Sequence, residues 1–264
     1  MIAKTLEKEL NLEPWQVNKV IKLIDDGNTI PFIARYRKEM HGSMDDQLIR
    51  EFAEKLEYLR GLDKRRDEIR SLIDAQEKLT DEINLALDKA ATLSELEDIY
   101  RPYRPKRKTR ASIAKEKGLE PLANDILKQE KGFDPSKSAV DYIDEEKGVT
   151  SVEDAIQGAM DIIAELVSDN AEIRKRIRNL TNANGVLVSV ATDEEKDSVY
   201  KNYYDYKEPV KKIAGHRVLA VNRGEKEGFL KVSVETDSEK PLNSIFRAMI
   251  TDKNQLCSDI IREA

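Results

Sequence analysis

Apolar residues recur at every third or fourth position through most of the chain, which is the spacing of one helix face. The longest run of this pattern extends from about residue 45 to residue 75, and Gly61 leaves open whether it is one helix or two. Gly and Pro, which disfavour helix interiors, number only 11 and 8 among 264 residues. The pattern therefore predicts a mainly α fold, with helices over 14–25, 45–75, 80–87, 92–100, 111–118, 121–127, 137–146, 152–167 and 170–180.

The hydrophobic period changes after a turn signal at Asn182–Gly185. Short runs rich in Val follow at Gly185–Val190 and again at Phe229–Glu235, and their composition is typical of strands. We expect these two segments to pair as a short two-stranded sheet. The remaining apolar stripes predict helices at 194–204, 215–222 and 244–262.

The change of period also predicts how the chain is organised. A length of 264 residues fits one large or two modest domains. We expect a multi-helix N-terminal domain over 1–183 and a small α+β segment over 184–264.

Composition indicates an intracellular protein without a membrane span. No apolar run approaches the roughly 18 residues that cross a bilayer. The first ten residues are charged every few positions and lack the apolar core of a secretory signal. The single cysteine, Cys257, excludes an internal disulfide, so we expect a cytoplasmic location.

Residues suited to catalysis or to metal binding are scarce. Two histidines, His41 and His216, and one cysteine do not make a familiar zinc site. Phosphate-binding glycine motifs and a G-x-S-x-G element are absent from the sequence. Acidic neighbours such as Asp25 and Asp26 point about 100° apart on a helix and do not converge on one ion. We therefore expect no enzyme activity, no metal and no cofactor.

Charge is distributed unevenly, although the net charge is −6. The basic segment, defined as 101–110, carries six Lys or Arg residues and no acid, and two prolines keep it out of regular helix. Its cations suit phosphate contacts, and its tyrosine suits stacking or packing. The candidate nucleic-acid-binding residues here are Arg101, Tyr103, Arg104, Lys106, Arg107, Lys108 and Arg110.

Charge alone leaves other interpretations of the basic segment open. It could pair with acidic helices of its own domain, such as the one containing Glu95, Glu97 and Asp98, or meet an acidic partner protein. A second basic cluster, Arg35, Arg37 and Lys38, lies beside Tyr36 and is a candidate extension of the same surface. Sequence does not place the two together.

Several long blocks resemble the Tex family of bacterial transcription accessory proteins. They are TIPFIARYRKE at 29–39, ELEDIYRPYRPKRKTRA at 95–111, KGLEPLA at 117–123, AIQGAMDIIAE at 155–165, YDY at 204–206 and HRVLAVNRGE at 216–225. The blocks follow family order over nearly the whole chain. Chance is a poor explanation for matches of this length.

The resemblance implies a modular, RNA-binding protein related to a eukaryotic transcription elongation factor. In the family, a helical N-terminal part with a helix-turn-helix-like unit precedes an RNase H-like domain, a helix-hairpin-helix pair and an OB-fold domain. We expect this chain to be an N-terminal part that stops before those modules. The family's RNase H-like domain is not regarded as a working nuclease.

The leading hypothesis is an N-terminal scaffold of a Tex-like transcription accessory protein that binds RNA, or DNA, without catalysis. The alternative is a protein-interaction module that docks RNA polymerase or other transcription factors. A nuclease is the third and least favoured hypothesis, because no acidic metal-binding constellation is visible in the sequence.

Overall fold

Helices dominate the computed structural model, which describes residues 2–42, 44–105, 108–251 and 253–264. The described residues fall into two compact units that divide between Tyr103 and Arg104. The first consists of helices and their connections, and the second adds a small antiparallel sheet. The mainly α prediction is therefore confirmed. The predicted domain boundary at 183/184 and the helix-turn-helix-like unit stay predictions.

The first unit contains the helices that the apolar stripes predict, together with short ones that they do not. The additions are α1 (Ile2–Leu10), α3 (Ile30–Tyr36) and α4 (Lys38–His41). With 9, 7 and 4 residues, they are short for a period of 3.6 residues to be recognised. The helices are α1 (Ile2–Leu10), α2 (Pro14–Asp25), α3 (Ile30–Tyr36), α4 (Lys38–His41), α5 (Asp46–Asp74), α6 (Asp81–Lys89) and α7 (Leu93–Tyr100), followed by a 3-10 turn at Arg101–Tyr103.

Helix α5 is a single element of 29 residues, about 43 Å long. Asp45 begins it by accepting a hydrogen bond from the Leu48 amide at 2.7 Å. Gly61 does not interrupt it. A glycine costs a helix only about 1 kcal/mol, whereas α5 buries apolar side chains on both sides of this position. The two apolar clusters of the unit lie along it, one around Phe52 and one around Ile69.

The central helix of the second unit is α11 (Val152–Asp169), whose apolar stripe contacts α8 (Arg110–Glu116) and α9 (Glu120–Lys128). Gly158 permits this packing, because a Cβ at its position would overlap the Leu119 side chain. The helices are α8 (Arg110–Glu116), α9 (Glu120–Lys128), α10 (Pro135–Ala139), α11 (Val152–Asp169), α12 (Ala171–Asn184), α13 (Gly215–Lys226), α14 (Glu239–Met249) and α15 (Gln255–Glu263).

The sheet has three described strands, β1 (Val186–Ala191), β2 (Asp205–Pro209) and β3 (Leu230–Glu235), in the order β2-β1-β3. Both pairings are antiparallel, and Val188 lies opposite Lys207 on one side and Ser233 on the other. The predicted pairing of β1 with β3 is confirmed, but a sheet of only two strands is wrong. β2 was missed because it is a half-exposed edge strand with few apolar residues.

The helix predicted at 194–204 is also wrong, since only Lys201–Tyr203 forms a 3-10 turn there. In this segment, side chains accept hydrogen bonds from backbone amides that a helix would use for its own hydrogen bonds. Asp193 accepts from the Glu195 amide at 3.1 Å, and Ser198 accepts from the Tyr200 amide at 3.0 Å. Such local bonds compete with helix formation.

One further predicted helix ends early, and another is split in two. The helix predicted at 137–146 spans Pro135–Ala139, continues as a 3-10 turn to Tyr142, and gives way to a bridge between Asp144 and Val149. The helix predicted at 244–262 is two helices, α14 and α15, which are separated after Met249.

Candidate nucleic-acid interface

The basic segment begins in the first unit, where α7 passes into the 3-10 turn. The Tyr103 carbonyl accepts a hydrogen bond from Gln76 Nε2 at 2.9 Å, and the half-buried Tyr103 ring packs against the cluster around Ile69. Arg101 is exposed. Of the two roles considered for Tyr103, this arrangement favours packing over stacking on a base.

The acids just before the basic segment have partners of their own. Arg65 Nε donates to Glu97 at 2.7 Å, and this hydrogen bond raises the pKa of Arg65. The same guanidinium lies 5.7 Å from the centre of the buried Tyr100 ring. Glu95 accepts from the Ala91 amide at 2.8 Å. These contacts hold the end of α7 in place.

The rest of the basic segment belongs to the second unit and leads into α8. Thr109 starts α8 with a capping box, in which its hydroxyl accepts from the Ser112 amide at 3.0 Å. This places Lys108 just before the helix and Arg110 at its first position. Arg104, Lys108 and Arg110 are all exposed. Lys106 and Arg107 lie outside the described residues.

Lys108 and Arg110 make ion pairs, but these pairs lie at the surface. Lys108 Nζ is 3.4 Å from Glu116, and Arg110 Nε is 3.7 Å from Asp161. The Lys108 side chain keeps 66% of its exposure and the Arg110 side chain keeps 85%. Exposed pairs typically contribute only about 0–1 kcal/mol. Pairing within the unit therefore occurs, and it leaves both cations accessible to another anion.

Asp161 belongs to an acidic ridge on α11, whereas Glu116 lies at the end of α8. Asp161 and Glu165 are one helical turn apart, and each side chain is only 17% exposed. Glu165 accepts from the Thr109 hydroxyl at 3.1 Å and lies 3.6 Å from Lys115 Nζ. The ridge holds the start of α8 against α11. The contacts join residues about fifty positions apart, so sequence spacing did not predict them.

The second basic cluster divides into two roles in the structure. Arg37 is half-buried, with its guanidinium 5.1 Å from the centre of the Phe32 ring, a cation–π distance. Arg35 and Lys38 are exposed. Neither of them has an ion-pair partner among the residues that the structure describes.

Arg35 and Lys38 line a groove between α3–α4 and the start of α5, with a volume of about 680 Å³. Arg50 adds a third cation from α5, and it pairs with Asp46 at 2.9 Å. The sequence analysis missed Arg50, since only the return of α5 brings it beside α3. That this cluster extends the basic segment stays a prediction.

A polar cluster joins β2 to α13 in the second unit. Arg217 Nη1 donates to both carboxylate oxygens of Glu208 at 2.9 and 3.0 Å, and the Tyr206 hydroxyl donates to the same carboxylate. The hydrogen bonds from Tyr206 and Arg217 lower the pKa of Glu208. Burial, followed by the contact with Glu208, raises the pKa of Tyr206. The cluster explains why the blocks at 204–206 and 216–225 belong together structurally.

The described residues also bear on metal binding and on membrane insertion. In residues 2–42, 44–105, 108–251 and 253–264, no three His, Cys, Asp or Glu side chains are grouped to hold a metal ion. Within those same ranges, no helix combines the length and the apolar character that crossing a bilayer demands.

Comparison with protein families decides the relationship. The family model described as Tex-like protein N-terminal domain matches residues 1–74. The model described as Tex central region-like matches residues 130–263, just over half of the chain. The chain belongs to the Tex family. The basic segment lies between the two matches, so neither Tex model covers it.

Relatives of this Tex-family chain include bacterial and human proteins. Protein YdcI of Bacillus subtilis is 43% identical over 266 residues, covering 100% of this chain and 37% of YdcI. Transcriptional accessory protein Tex of Neisseria gonorrhoeae is 39% identical over 89% of this chain and 31% of its own length. Human S1 RNA-binding domain-containing protein 1 is 30% identical over 88% of this chain and 24% of its own length. The chain thus spans about a third of the length of these bacterial relatives.

Proposed function

We propose that this Tex-family chain is a non-catalytic scaffold that binds nucleic acid, RNA or DNA, through its basic segment. The observation that carries the proposal is the exposure of Lys108 and Arg110, which remain accessible although each has an acidic neighbour. Arg104 is exposed in the same stretch. The predicted contacts at Lys106 and Arg107 belong to the same proposal.

Phosphate contact is the chemistry that these side chains suit best. Each phosphate that a cation neutralises releases condensed counterions, and this release supplies most of the sequence-independent affinity. The surrounding chain is acidic, with a net charge of −6. A local cationic segment therefore directs a polyanion to one place and discourages binding elsewhere. Tyr103 supports the segment by packing.

The names of the relatives support a role in transcription. One is called a transcriptional accessory protein, and another is named for an S1 RNA-binding domain. By extension, we propose that this chain works in the cytoplasm as part of a transcription accessory protein. In that role it would position further nucleic-acid-binding modules.

Fluorescence anisotropy with labelled single-stranded RNA, single-stranded DNA and duplex tests the proposal. The test variant combines Arg104→Gln, Lys108→Gln and Arg110→Gln. The matched control removes three other exposed, ion-paired cations of the same unit, by the substitutions Lys128→Gln, Lys137→Gln and Lys147→Gln. At low salt we expect the test variant to bind about tenfold or more weakly than the control. Equal affinities would contradict the proposal.

Absence of catalysis is part of the proposal and has its own test. The purified chain is incubated with end-labelled RNA or DNA in the presence of Mg²⁺ or Mn²⁺. We expect the substrates to remain intact. Metal-dependent cleavage that co-purifies with the chain and is lost in a point variant would contradict a scaffold role.

A protein-interaction module is the second candidate function, and two exposed apolar side chains favour it. Val199 is 87% exposed and Leu219 is 71% exposed, so both apolar side chains are available to a partner. RNA polymerase is the partner to test. Co-purification with polymerase that survives nuclease treatment and is lost in a Leu219→Ser variant would favour this candidate.

A further inference from the structure

An aromatic pair lies on the surface of α3. The rings of Phe32 and Tyr36 have centroids 5.4 Å apart and are tilted by 42°. Arg37 lies over the Phe32 ring, so this ring is enclosed between a cation and its neighbour. Tyr36 remains 63% exposed. The Tyr36 ring is therefore exposed to solvent while it packs against the Phe32 ring.

Two cations near Tyr36 in sequence, Arg35 on α3 and Lys38 on α4, line the groove next to α5. Pro31, four residues before Arg35 on α3, lines the same groove, and Lys38 is the first residue of α4. Arg35 and Lys38 lack ion-pair partners within the described part of the chain. Tyr36 follows Arg35 on α3, so its ring projects about 100° around the helix from Arg35, outside the residues that line the groove.

The acids of the groove are already engaged. Asp45 caps α5 through the Leu48 amide, and Asp46 pairs with Arg50 at 2.9 Å. Their carboxylates therefore have partners at the start of α5. The two unpaired cations, Arg35 and Lys38, are the groups that remain for an incoming anion.

We propose that the groove lined by Pro31, Arg35 and Lys38, called here the α3 groove, binds single-stranded nucleic acid together with the Tyr36 ring. The inference rests on the proposed function, and it adds a second site that selects unpaired bases. The ring of Tyr36 stacks on one base, while Arg35 and Lys38 contact the adjacent phosphates. An exposed aromatic ring combined with nearby cations is the arrangement that holds unpaired strands without sequence preference.

Discrimination between strand types follows from this chemistry. Bases of a duplex are already stacked on one another, so Tyr36 gains a stacking partner only when a base is unpaired. The basic segment offers cations without an equally exposed ring, since Tyr103 is packed. The α3 groove therefore gives single strands an advantage over duplex that the basic segment does not give.

The test compares substitutions of Tyr36 that differ in aromatic character. Tyr36→Leu keeps an apolar contact with Phe32 but removes the ring, whereas Tyr36→Phe keeps the ring. Tyr58→Leu is the control, because Tyr58 is another exposed tyrosine of the same unit. Affinities for a labelled unstructured oligonucleotide, RNA or DNA, and for its duplex are measured by anisotropy. Circular dichroism melting checks the fold.

We expect Tyr36→Leu to bind the single strand about tenfold more weakly, the loss of one stacked base. Duplex affinity stays unchanged, and Tyr36→Phe and Tyr58→Leu bind like the wild type. Wild-type single-strand affinity in Tyr36→Leu, or an equal loss for duplex, overturns the site while leaving the proposed function intact. Wild-type protein that binds no nucleic acid overturns both.

A second variant keeps the proposal falsifiable if Tyr36→Leu fails to fold. Arg35→Gln combined with Lys38→Gln leaves the aromatic pair in place. For a single strand, the slope of log affinity against log salt should become shallower by about 1.4, which is about 0.7 for each lost phosphate contact. An unchanged slope overturns the site.

Discussion

Gln129 joins two parts of the second unit that lie about 120 residues apart in sequence. It is 1% exposed and follows α9. Its Nε2 donates to the Met249 carbonyl at 2.8 Å, and its Oε1 accepts from the Thr251 amide at 2.9 Å. Thr251 lies in the break between α14 and α15. We predict that Gln129→Leu destabilises this unit.

The magnitude follows from the groups that lose their partners. Leucine is one bond shorter than glutamine and can neither donate nor accept, so the Met249 carbonyl and the Thr251 amide both lose their Gln129 partner. Each unsatisfied buried group costs about 1–3 kcal/mol. Because these groups are only partly buried, we expect a loss of about 3 kcal/mol. In a unit of this size, that corresponds to a melting temperature lower by about 6–12 °C.

Urea and thermal unfolding followed by circular dichroism measure this effect. Gln255→Leu is the control, since Gln255 is exposed and its Nε2 donates to Asp259 of its own helix at 2.7 Å. We expect the control to change the free energy of unfolding by less than about 0.5 kcal/mol. Similar small losses in both variants would refute the assignment of Gln129 as the link.

The remaining predictions concern packing, a buried imidazole and pH. Gly158→Ala should lower the free energy of unfolding by about 1–2 kcal/mol, because the new methyl overlaps Leu119. Gly61→Ala has open space around it and should raise the free energy of unfolding by about 1 kcal/mol. Equal effects of the two substitutions in urea unfolding would contradict this. His41 is fully buried and its ring nitrogens have no partner among the described residues, so His41→Leu should raise thermal stability by about 1 kcal/mol, and a lower melting temperature would contradict it. Hydrogen bonds, first from a tyrosine hydroxyl and then from an arginine, hold the pKa of Glu208 below its ordinary value, so its ionised form stabilises the fold at neutral pH and this contribution is lost as pH falls through the folded-state pKa. The stability difference between wild type and Glu208→Gln should therefore shrink on acidification, and a difference that grows would contradict this.

Local signals predicted most of the helices correctly. Helix α2 spans Pro14–Asp25 as expected, because its apolar stripe, its early proline and the following Gly27 agree. The stripe of α11 and its Ser151 cap agree in the same way. The prediction worked where propensity, capping and apolar spacing indicated the same element.

Distant contacts account for what the sequence did not predict. No glycine or proline marks the break between α14 and α15. The chain leaves the helix there because Gln129 Nε2 donates to the Met249 carbonyl. In addition, the side-chain Nδ2 of Asn254 donates to the Glu130 and Phe133 carbonyls at 2.8 and 2.7 Å. Such partners become visible only when the chain has folded.

The candidate sites also combine residues that local sequence predicted with surroundings that depend on distant contacts. Charge spacing singled out the cations of the basic segment, but the exposure of Arg110 beside Asp161 depends on how α8 packs on α11. Charge also singled out Arg35 and Lys38. The groove they share with Arg50 exists only because α5 returns beside α3.

The salt dependence of nucleic-acid binding tests the central claim most directly. Duplex affinity is measured between about 50 and 200 mM salt for the wild type and for the variant with Arg104→Gln, Lys108→Gln and Arg110→Gln. Three lost phosphate contacts predict a log–log slope that is shallower by about 2.7. A slope identical to that of the wild type would show that these cations do not meet the phosphates.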